Sequence, residues 1–574
     1  MLNKLRERLA HAEALLPLTM VGLVSGLFTG GVIIAFRWLT ETSQVTFTPL
    51  DDPESFEWLT WPYRLGLPLV GGLVIGLVFQ FAAVGSRQVG VVHVMECLAY
   101  HSGRLPWRNA ALQFFGGALS IFSGHSVGRE GPVIHVGAAS SSLLGQWLGL
   151  PNNSLRVLVA CGAAASIAAS FNTPIAGVIF AMEVILMEYT IAGFTPVILA
   201  AVAATTLSRV AYGAAPAFNV PLLPMTSLWE LPYILFLGIV LGSLGALFIH
   251  AVRRMDDRFR HRPLWLRTTG AGAITGLCAL AVPQVMGIGY DTVELTLLGE
   301  VGLGLLIAIV AAKLVATTAC VSLGLPGGLI GPTLVMGAAA GGALGVVGHA
   351  LVPDLSSSPG FYAMLGMGAM MGATLQAPLA ALMAILELTA NPNSILPGMF
   401  AIVTATLTAR LVFHKNSIFI TMLEARGFEY RHDPVAISLS RTGVGAVMRR
   451  RLLSAPRRGD VDALPEPQNR RPDWVLATEE GRVVGLVPGE DYLAFLDNAR
   501  DDPEARQYDL LELAGVSTQF SMVRLQATLH DALERMSDTS TDVVLITRAE
   551  IAAPANVYGV LTRDQIESGV RYGV

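Results

Sequence analysis

The residues best suited to chemistry lie together in Gly124-His-Ser-Val-Gly-Arg-Glu-Gly-Pro132. The stretch sits in an apolar part of the chain and yet carries Arg129 and Glu130, and an ionisable group at membrane depth is costly enough to mark a functional site by default. Glycines on both sides let the backbone turn sharply, and Pro132 suits the first position of a helix, where its missing N–H costs nothing. The expected result is an irregular loop that delivers a helix start into the bilayer interior, followed by the small-residue run Val133 to Leu150. Such a start presents unbonded N–H donors and about half a positive charge, which together make an anion site. An ionised Glu130 would itself be an anion there, and its protonation would vacate the position.

Other side chains near this loop have competing readings. Gly124-His-Ser-Val-Gly128 fits the Gly-x-Ser-x-Gly nucleophile elbow, with Ser126 as nucleophile. That elbow needs a preceding strand on a soluble sheet, whereas Leu112 to Ser123 reads as an apolar helix, so an intramembrane serine hydrolase is disfavoured and no enzyme is expected. His93, His125 and His135 are close enough in sequence to pass protons, although histidines in such segments more often pack with hydrogen bonds. Lys313, in an apolar helix, is expected to snorkel or to pair with a carboxylate.

The elements that must position these residues follow from composition. The chain has 574 residues, 53% hydrophobic and 14% charged, with a mean hydropathy of +0.56, which indicates a polytopic membrane protein. Of 81 Asp, Glu, Lys and Arg residues, 41 fall in 425–574, so a boundary is expected near residue 425 between a membrane domain and a polar C-terminal domain. A net charge of −5 without a basic tract excludes nucleic acid as a partner. Cys97, Cys161, Cys278 and Cys320 stand apart in apolar runs, so neither a disulfide framework nor a metal site is indicated.

Long apolar segments at about 15–39, 64–84, 228–252 and 303–322 have roughly the 20 residues needed to span. Shorter ones at 88–100, 107–123, 131–149, 154–170, 174–188, 332–351, 359–372, 374–389 and 395–413 are broken by Gly and Pro. Interrupted helices at membrane depth are tolerated only where the freed backbone lines a cavity or is buried in protein. Lys4, Arg6 and Arg8 precede the first segment, and Arg426, Arg431, Arg441 and Arg449 to Arg451 follow the last, so both termini are expected in the cytoplasm with an even number of crossings.

The chain also repeats. Phe171-Asn-Thr-Pro-Ile-Ala-Gly-Val-Ile-Phe-Ala-Met-Glu-Val184 lies against Leu375-Gln-Ala-Pro-Leu-Ala-Ala-Leu-Met-Ala-Ile-Leu-Glu-Leu388. Pro174 and Pro378, Glu183 and Glu387, and Gly162 and Gly366 are each 204 positions apart, while Gly131-Pro132 recurs 200 positions on at Gly331-Pro332. Half-repeats of about 15–210 and 228–424, with helices broken at matching places, point to a substrate site at their interface near the midplane. Glu183 and Glu387 are expected to brace the fold.

With these residues in hand, the chain resembles the CLC family of chloride channels and chloride/proton antiporters. Gly128-Arg-Glu-Gly-Pro132 matches the family's most specific motif, and Gly324-Leu-Pro-Gly-Gly-Leu-Ile-Gly-Pro332 matches its second-half motif loosely. The resemblance implies an all-α membrane domain over 1–424 with two inverted-topology repeats and broken helices. It also implies a homodimer with one anion pathway per subunit, in a bacterial inner membrane. Glu130 aligns with the gating glutamate, which competes with chloride and carries protons. Main-chain donors from Arg129, Glu130 and Gly131, and from Leu329, Ile330 and Gly331, are the expected anion ligands, since backbone amides attract a halide without holding it too tightly.

Three positions depart from the family pattern. Val89 stands for the serine of the central anion site, beside Gly90, and Phe419 stands for its tyrosine, so two hydroxyl donors worth about 0.5–1.5 kcal/mol each are missing. Val184, next to Glu183, stands where many antiporters carry a second acid that relays protons from the cytoplasm. A passive channel and a proton-coupled exchanger therefore both stay open, with exchange favoured. A divalent-cation transporter is the remaining transport reading, and it would need converging carboxylates that this sequence lacks.

Residues 425–574 resemble a cytoplasmic α/β CBS-domain pair, about 437–498 and 508–574. Trp474 to Val487 reads as strand, turn and strand before a helix around Tyr492, and Asp542 to Thr547 with Val557 to Thr562 repeats the scheme before a helix from Arg563. The ribose-reading Thr-x-x-Asp pattern of nucleotide-binding pairs is split: Pro488 replaces Thr before Asp491, and Thr562 is followed by Gln565. A structural or dimer-stabilising role is thus expected before adenine-nucleotide binding, and no other cofactor is called for.

Overall fold

The structure is a computed structural model that describes residues 2–11, 14–48, 53, 55–428, 434–467, 471–501, 507–548 and 552–572; Arg431 lies outside the described residues. The chain forms two units. The smaller gathers Met1–Leu18, with α1 (Leu2–Leu9), Gly145–Leu155 and Arg431–Val574; the larger comprises Thr19–Leu144 and Arg156–Tyr430.

The larger unit is helical. Its first half runs through α2 (Leu15–Phe47), α3 (Trp61–Phe81), α4 (Val91–Tyr100), α5 (Trp107–Phe122), α6 (Glu130–Trp147), α7 (Asn152–Phe171), α8 (Pro174–Phe180) and α9 (Ile191–Tyr212), with α8 prolonged by a π-turn, Ala181–Leu186. The second half runs through α10 (Leu231–Phe259), α11 (Leu264–Ala281), α12 (Tyr290–Leu298), α13 (Leu303–Ser322), α14 (Ile330–Leu351), α15 (Pro359–Leu375), α16 (Pro378–Thr389), α17 (Ile395–Leu407) and α18 (Ile418–Ala425). Among the described residues, eight helices are long and apolar enough to cross a membrane. α3 exposes Val70, Val74, Leu77, Val78 and Phe81, an apolar stripe suited to lipid and not to water.

One span was not legible as an apolar run: Pro196 and several threonines dilute α9. One expectation needs correcting: α6 opens at Glu130, so Pro132 is its third residue and not its first. The proline still falls in the first turn, where no intrahelical N–H bond is lost.

The repeat is visible in the packing. A Cβ on Gly137 or Gly162 would collide with the carbonyl oxygen of the other, so α6 and α7 cross in backbone contact; Gly337 and Gly366 bring α14 and α15 together in the same way. Asn172 and Gln376, 204 positions apart, both take left-handed backbone (φ 58° and 57°) just before the prolines that open α8 and α16. Small residues that let backbones touch are how helices associate where burial from water supplies no drive.

The smaller unit contains α19 (Pro434–Ser440), α20 (Val444–Val447) and two three-stranded sheets. In the first, β1 (Leu452–Pro456) lies parallel to β3 (Trp474–Glu479), which pairs antiparallel with β4 (Arg482–Pro488). The second repeats the scheme with β6 (Ser521–Arg524), β7 (Val543–Thr547) and β8 (Val557–Thr562). The short pair β2 (Arg458–Asp460) and β5 (Gln507–Asp509) joins the ends of the first half. α21 (Gly489–Asp501), α22 (Leu529–Asp538) and α23 (Arg563–Tyr572) complete it, and Thr528 and Asp531 cap α22 reciprocally.

Candidate anion site

Two loops build the centre of the larger unit. Ser123–Arg129 follows α5 and Leu323–Leu329 follows α13, and each leads into a helix start. They meet at residues 200 positions apart: Gly128 N–H donates to the Gly328 carbonyl at 2.7 Å, and Gly328 N–H donates to the Gly128 carbonyl at 2.6 Å. A Cβ on Gly328 would press on the backbone nitrogen of Gly131, so only glycine fits there, and one on Gly128 would displace the Glu130 carboxylate from its place. The starts of α6 and α14 are thereby held side by side.

Glu130 is buried, with 3% of its surface exposed. Its carboxylate lies against Gly328 and Gly331 and accepts from the Tyr290 hydroxyl at 3.3 Å through Oε1, while Oε2 is buried without a hydrogen-bond partner among the described residues. The guanidinium of Arg129 points elsewhere: it pairs with Glu41 at 3.7 Å and lies over the rings of Phe171 and Tyr290 at 4.6 and 5.7 Å. Val89, Gly90, Gly131, Leu329, Ile330 and Phe419 share the wall of one cavity of about 400 Å³. That cavity receives the starts of four helices: α4 at Gly90–Val91, α6, α14, and α18 at Phe419. Ile330 also lines a second cavity of about 40 Å³ on which Glu130, Thr173, Tyr290 and Ala380 open.

The large cavity has a feature the sequence did not disclose. Arg87, Arg253, Arg260, Arg267 and Arg426 line it, with Asp256 the acid in its wall, bonded to Arg267 at 3.3 Å. Arg253 and Arg260 belong to the C-terminal part of α10 and its cap, and the others to separate segments spread over more than 300 positions, so no local motif signals them. A mouth lined with one sign of charge concentrates the opposite ion and guides it inward.

Glu183 and Glu387 cross-cap the two halves. The Glu387 carboxylate accepts from Ile175 and Ala176 N–H at 3.0 and 2.7 Å, at the start of α8. Glu183 accepts from Leu379 and Ala380 N–H at 3.3 and 2.8 Å, at the start of α16. Val184 is buried beside it in the π-turn. Lys313 requires a correction: it is fully buried and does not snorkel, and its Nζ donates to the Val285 and Gly287 carbonyls at 3.1 and 3.0 Å.

The Ser126 hydroxyl is buried against Thr317 Oγ1 at 2.9 Å, and the element before its loop is helix α5, not a strand. His125 bonds Ser123 Oγ at 2.9 Å. His93 and His135, by contrast, are bonded to each other, Nδ1 to Nε2, at 2.8 Å. In the smaller unit, Thr562 and Gln565 bond each other's main-chain N–H at 3.3 and 3.1 Å and so cap α23, and Asp491 sits in the first turn of α21 close to Gly515.

Residues 71–410 match the family described as "Voltage gated chloride channel". A ClcB-like protein of Ralstonia nicotianae is 35% identical over 357 residues, covering 61% of this chain and 83% of the relative. The H(+)/Cl(-) exchange transporter ClcA of Citrobacter koseri is 30% identical over 421 residues, covering 71% and 88%. Among solved structures, a slow cyanobacterial Cl-/H+ antiporter superposes with a TM-score of 0.62 at 24% identity, over 71% of this chain and 97% of that one. A eukaryotic CLC transporter superposes with 0.58 at 17% identity, over 96% and 97%.

Proposed function

Because the chain belongs to the voltage gated chloride channel family, a family of multi-pass membrane transport proteins and not of enzymes, we propose that it exchanges chloride, or a similarly small anion, for protons, with Glu130 as the gate in each subunit. One observation carries this reading. The buried Glu130 carboxylate lies against Gly331 in the first turn of α14, so an anion built into the chain already sits at the helix start where a free one would bind. Protonation removes its charge and its claim on that helix start, and a halide can then take the position. Proton and anion thus exclude each other at one point, which is the requirement for exchange. Relatives named as H(+)/Cl(-) exchange transporters support the coupled form.

The arginine-lined cavity is the cytoplasmic entrance in this reading, with both termini in the cytoplasm of a bacterium whose inner membrane holds the protein as a homodimer. The smaller unit is a cytoplasmic CBS-domain pair, supported by its repeated strand order. Thr562 is engaged in capping α23 and Asp491 lacks its threonine, which supports a structural role over adenine-nucleotide binding. A passive channel is the second reading, favoured by one observation: Val184 cannot titrate.

Liposome flux with simultaneous pH recording separates the two. Exchange predicts that a chloride gradient drives protons uphill, and that Glu130→Gln keeps chloride flux and abolishes proton movement. Chloride flux without proton movement in the natural protein would make it a channel, and a fully coupled Glu130→Gln would remove Glu130 from its role.

A further inference from the structure

A cavity of about 170 Å³ lies wholly within the smaller unit and shares no lining residue with the anion site. Its wall is assembled from segments far apart in the chain. α1 supplies Arg6 and Glu7, and the loop between α6 and α7 supplies Gly149. Arg450 comes from the link between α20 and β1, Gln526 from just beyond β6, Arg548 from the end of β7 and Tyr558 from the start of β8. Hydrogen bonds fasten these segments to one another. Gly443 N–H donates to the Ala10 carbonyl at 2.9 Å, Asn152 N–H to the Gln526 carbonyl at 2.8 Å, and Asn153 Nδ2 to the Leu9 carbonyl at 2.9 Å. The recess is therefore built by the fold.

Its charge is one-sided. Three guanidiniums face one carboxylate among the described lining residues, and that carboxylate, Glu7, already pairs with Arg450 at 3.1 Å. Arg6 is held in place: its Nε and Nη2 donate to the Leu148 carbonyl at 3.0 and 2.8 Å. It lies so close over Gly149, which is left-handed at φ 62°, that a Cβ there would press on Nη2. Arg450 Nη2 likewise donates to the Gly445 carbonyl at 2.7 Å. Main-chain carbonyls fix these cations without neutralising them. A solvated surface accounts for single arginines, but not for three that converge on one recess from separate segments, where like charges repel. An anion relieves that repulsion, and the guanidinium fork matches the oxygens of a phosphate.

Size and place narrow the class. Pockets that enclose drug-sized ligands run to about 300–1,000 Å³, so this one suits a phosphate with a small substituent and not a whole nucleotide. It also lies away from Thr562, the residue aligned with the ribose-reading threonine of nucleotide-binding CBS pairs. Thr562 pairs with Val543 at one end of the second sheet, whereas Tyr558, Arg548 and Gln526 lie at the other, about 13 Å along the strand. The cavity stands instead beside two span starts. α2 begins at Leu15 and α7 at Asn152, both long and apolar enough to cross a membrane, and Leu16 and Trp147 next to these starts are 74% and 82% exposed. Tryptophan at the end of a span is a mark of headgroup level.

The geometry points to a binding site in this cavity for the anionic phosphate of a small headgroup, held by Arg6, Arg450 and Arg548. Filling it ties α1, the α6–α7 loop and the second sheet together. Two sources share that chemistry, an anionic phospholipid and a soluble phosphate ester, and the neighbouring span starts favour the lipid, since basic pockets at the ends of spans take anionic headgroups. The site holds for an exchanger and for a channel alike.

The test is ligand-dependent melting of the purified full chain in detergent, with the natural protein beside Arg548→Gln and Arg450→Gln. The probes are short-chain phosphatidylglycerol, phosphatidylcholine of the same chain length, whose choline cancels the phosphate charge, and inorganic phosphate. A probe that binds only the folded state raises the melting temperature with concentration and so reports its affinity. The expected result is a saturable rise with phosphatidylglycerol, none with phosphatidylcholine, and binding weakened about tenfold in each variant, the low end for losing a hydrogen bond to a charged group. A variant-sensitive rise with inorganic phosphate and none with phosphatidylglycerol would uphold the site and assign it to a soluble ester. An equal rise with phosphatidylcholine would show that charge is not read and overturn the proposal. Responses that both variants leave unchanged would place the anions elsewhere and overturn it, as would no response to either anionic probe. Both arginines are exposed, so the variants should fold. If neither does, phosphatidylglycerol should protect Arg548 of the natural protein from phenylglyoxal, read by mass spectrometry, and unchanged labelling would refute the site.

Discussion

Removing the Glu387 side chain tests how the two halves hold each other. Glu387→Ala strips two main-chain donors, Ile175 and Ala176 N–H, of a carboxylate bound at 3.0 and 2.7 Å. Hydrogen bonds to a charged group contribute about 1.5–3 kcal/mol each, and a carboxylate at a helix start adds about 0.3–1 kcal/mol. The carboxylate is partly exposed, so water compensates in part, and a loss of about 2–4 kcal/mol is expected. Glu387→Gln keeps one acceptor oxygen without the charge and should lose about half as much. Glu183→Ala should cost slightly less than Glu387→Ala, because its bond to Leu379 is longer at 3.3 Å. For a helical domain of this size, about 1–2 °C of melting temperature per kcal/mol is expected, by extrapolation from smaller domains. Thermal unfolding of the purified protein in detergent should therefore fall by about 2–8 °C for Glu387→Ala. Since α8 and α16 pack on each other, the double variant should depart from additivity. A Glu387→Ala protein that melts within about 1 °C of the natural one would refute the cross-capping argument. Glu183→Gln that lost proton flux at unchanged melting temperature would move Glu183 from bracing to proton transport.

Three further outcomes are expected. Val89→Ser restores a hydroxyl at the wall of the large cavity and should tighten chloride binding by about 0.5–1.5 kcal/mol, read by calorimetric titration; unchanged affinity would place Val89 away from the ion. Glu57, between the first two spans, is pushed up to about 8 by burial, by its hydrogen bond to Asp291 and by that residue's charge. Its folded value lies above the roughly 4.3 of an unfolded chain, so it favours the folded state fully below about pH 4 and progressively less as pH rises to about 8. Glu57→Gln should flatten the melting temperature between pH 6 and pH 9, and an unaltered pH profile would contradict it. In the smaller unit, hydrogen bonding from Arg451 holds the Asp473 carboxyl below its ordinary value. A depressed folded value stabilises above the unfolded value and is lost as pH falls through the folded one. Asp473→Asn should therefore lower the melting temperature at pH 7 and make no difference in strong acid; an equal shift at both would exclude the linkage.

Much of the architecture was legible because broken helices leave chemical traces. Gly131-Pro132 and Gly331-Pro332 marked the two helix starts, and the shared offset of Pro174, Glu183 and their counterparts marked the repeat. What stayed hidden was whatever depends on distant parts of the chain arriving together. Nothing local signals that Gly128 pairs with Gly328, that Glu183 caps a helix of the other half, or that five arginines line one cavity. Lys313 shows the same limit: its sequence context suggests a side chain reaching for water, and only the fold reveals carbonyls within reach of its Nζ. Pro132 misled by two residues, because the turn containing Glu130 is already helical and the proline ring is tolerated anywhere in that turn.

The reciprocal amide bonds between Gly128 and Gly328 set a fixed gauge between the starts of α6 and α14. Because that gauge is made of backbone, ordinary side-chain replacement elsewhere has little leverage over it. Relatives that favour a different ion would then have to differ where side chains line the large cavity, at positions such as Val89, Phe419 or its arginines. Tuning is left to the lining, while the gauge stays constant.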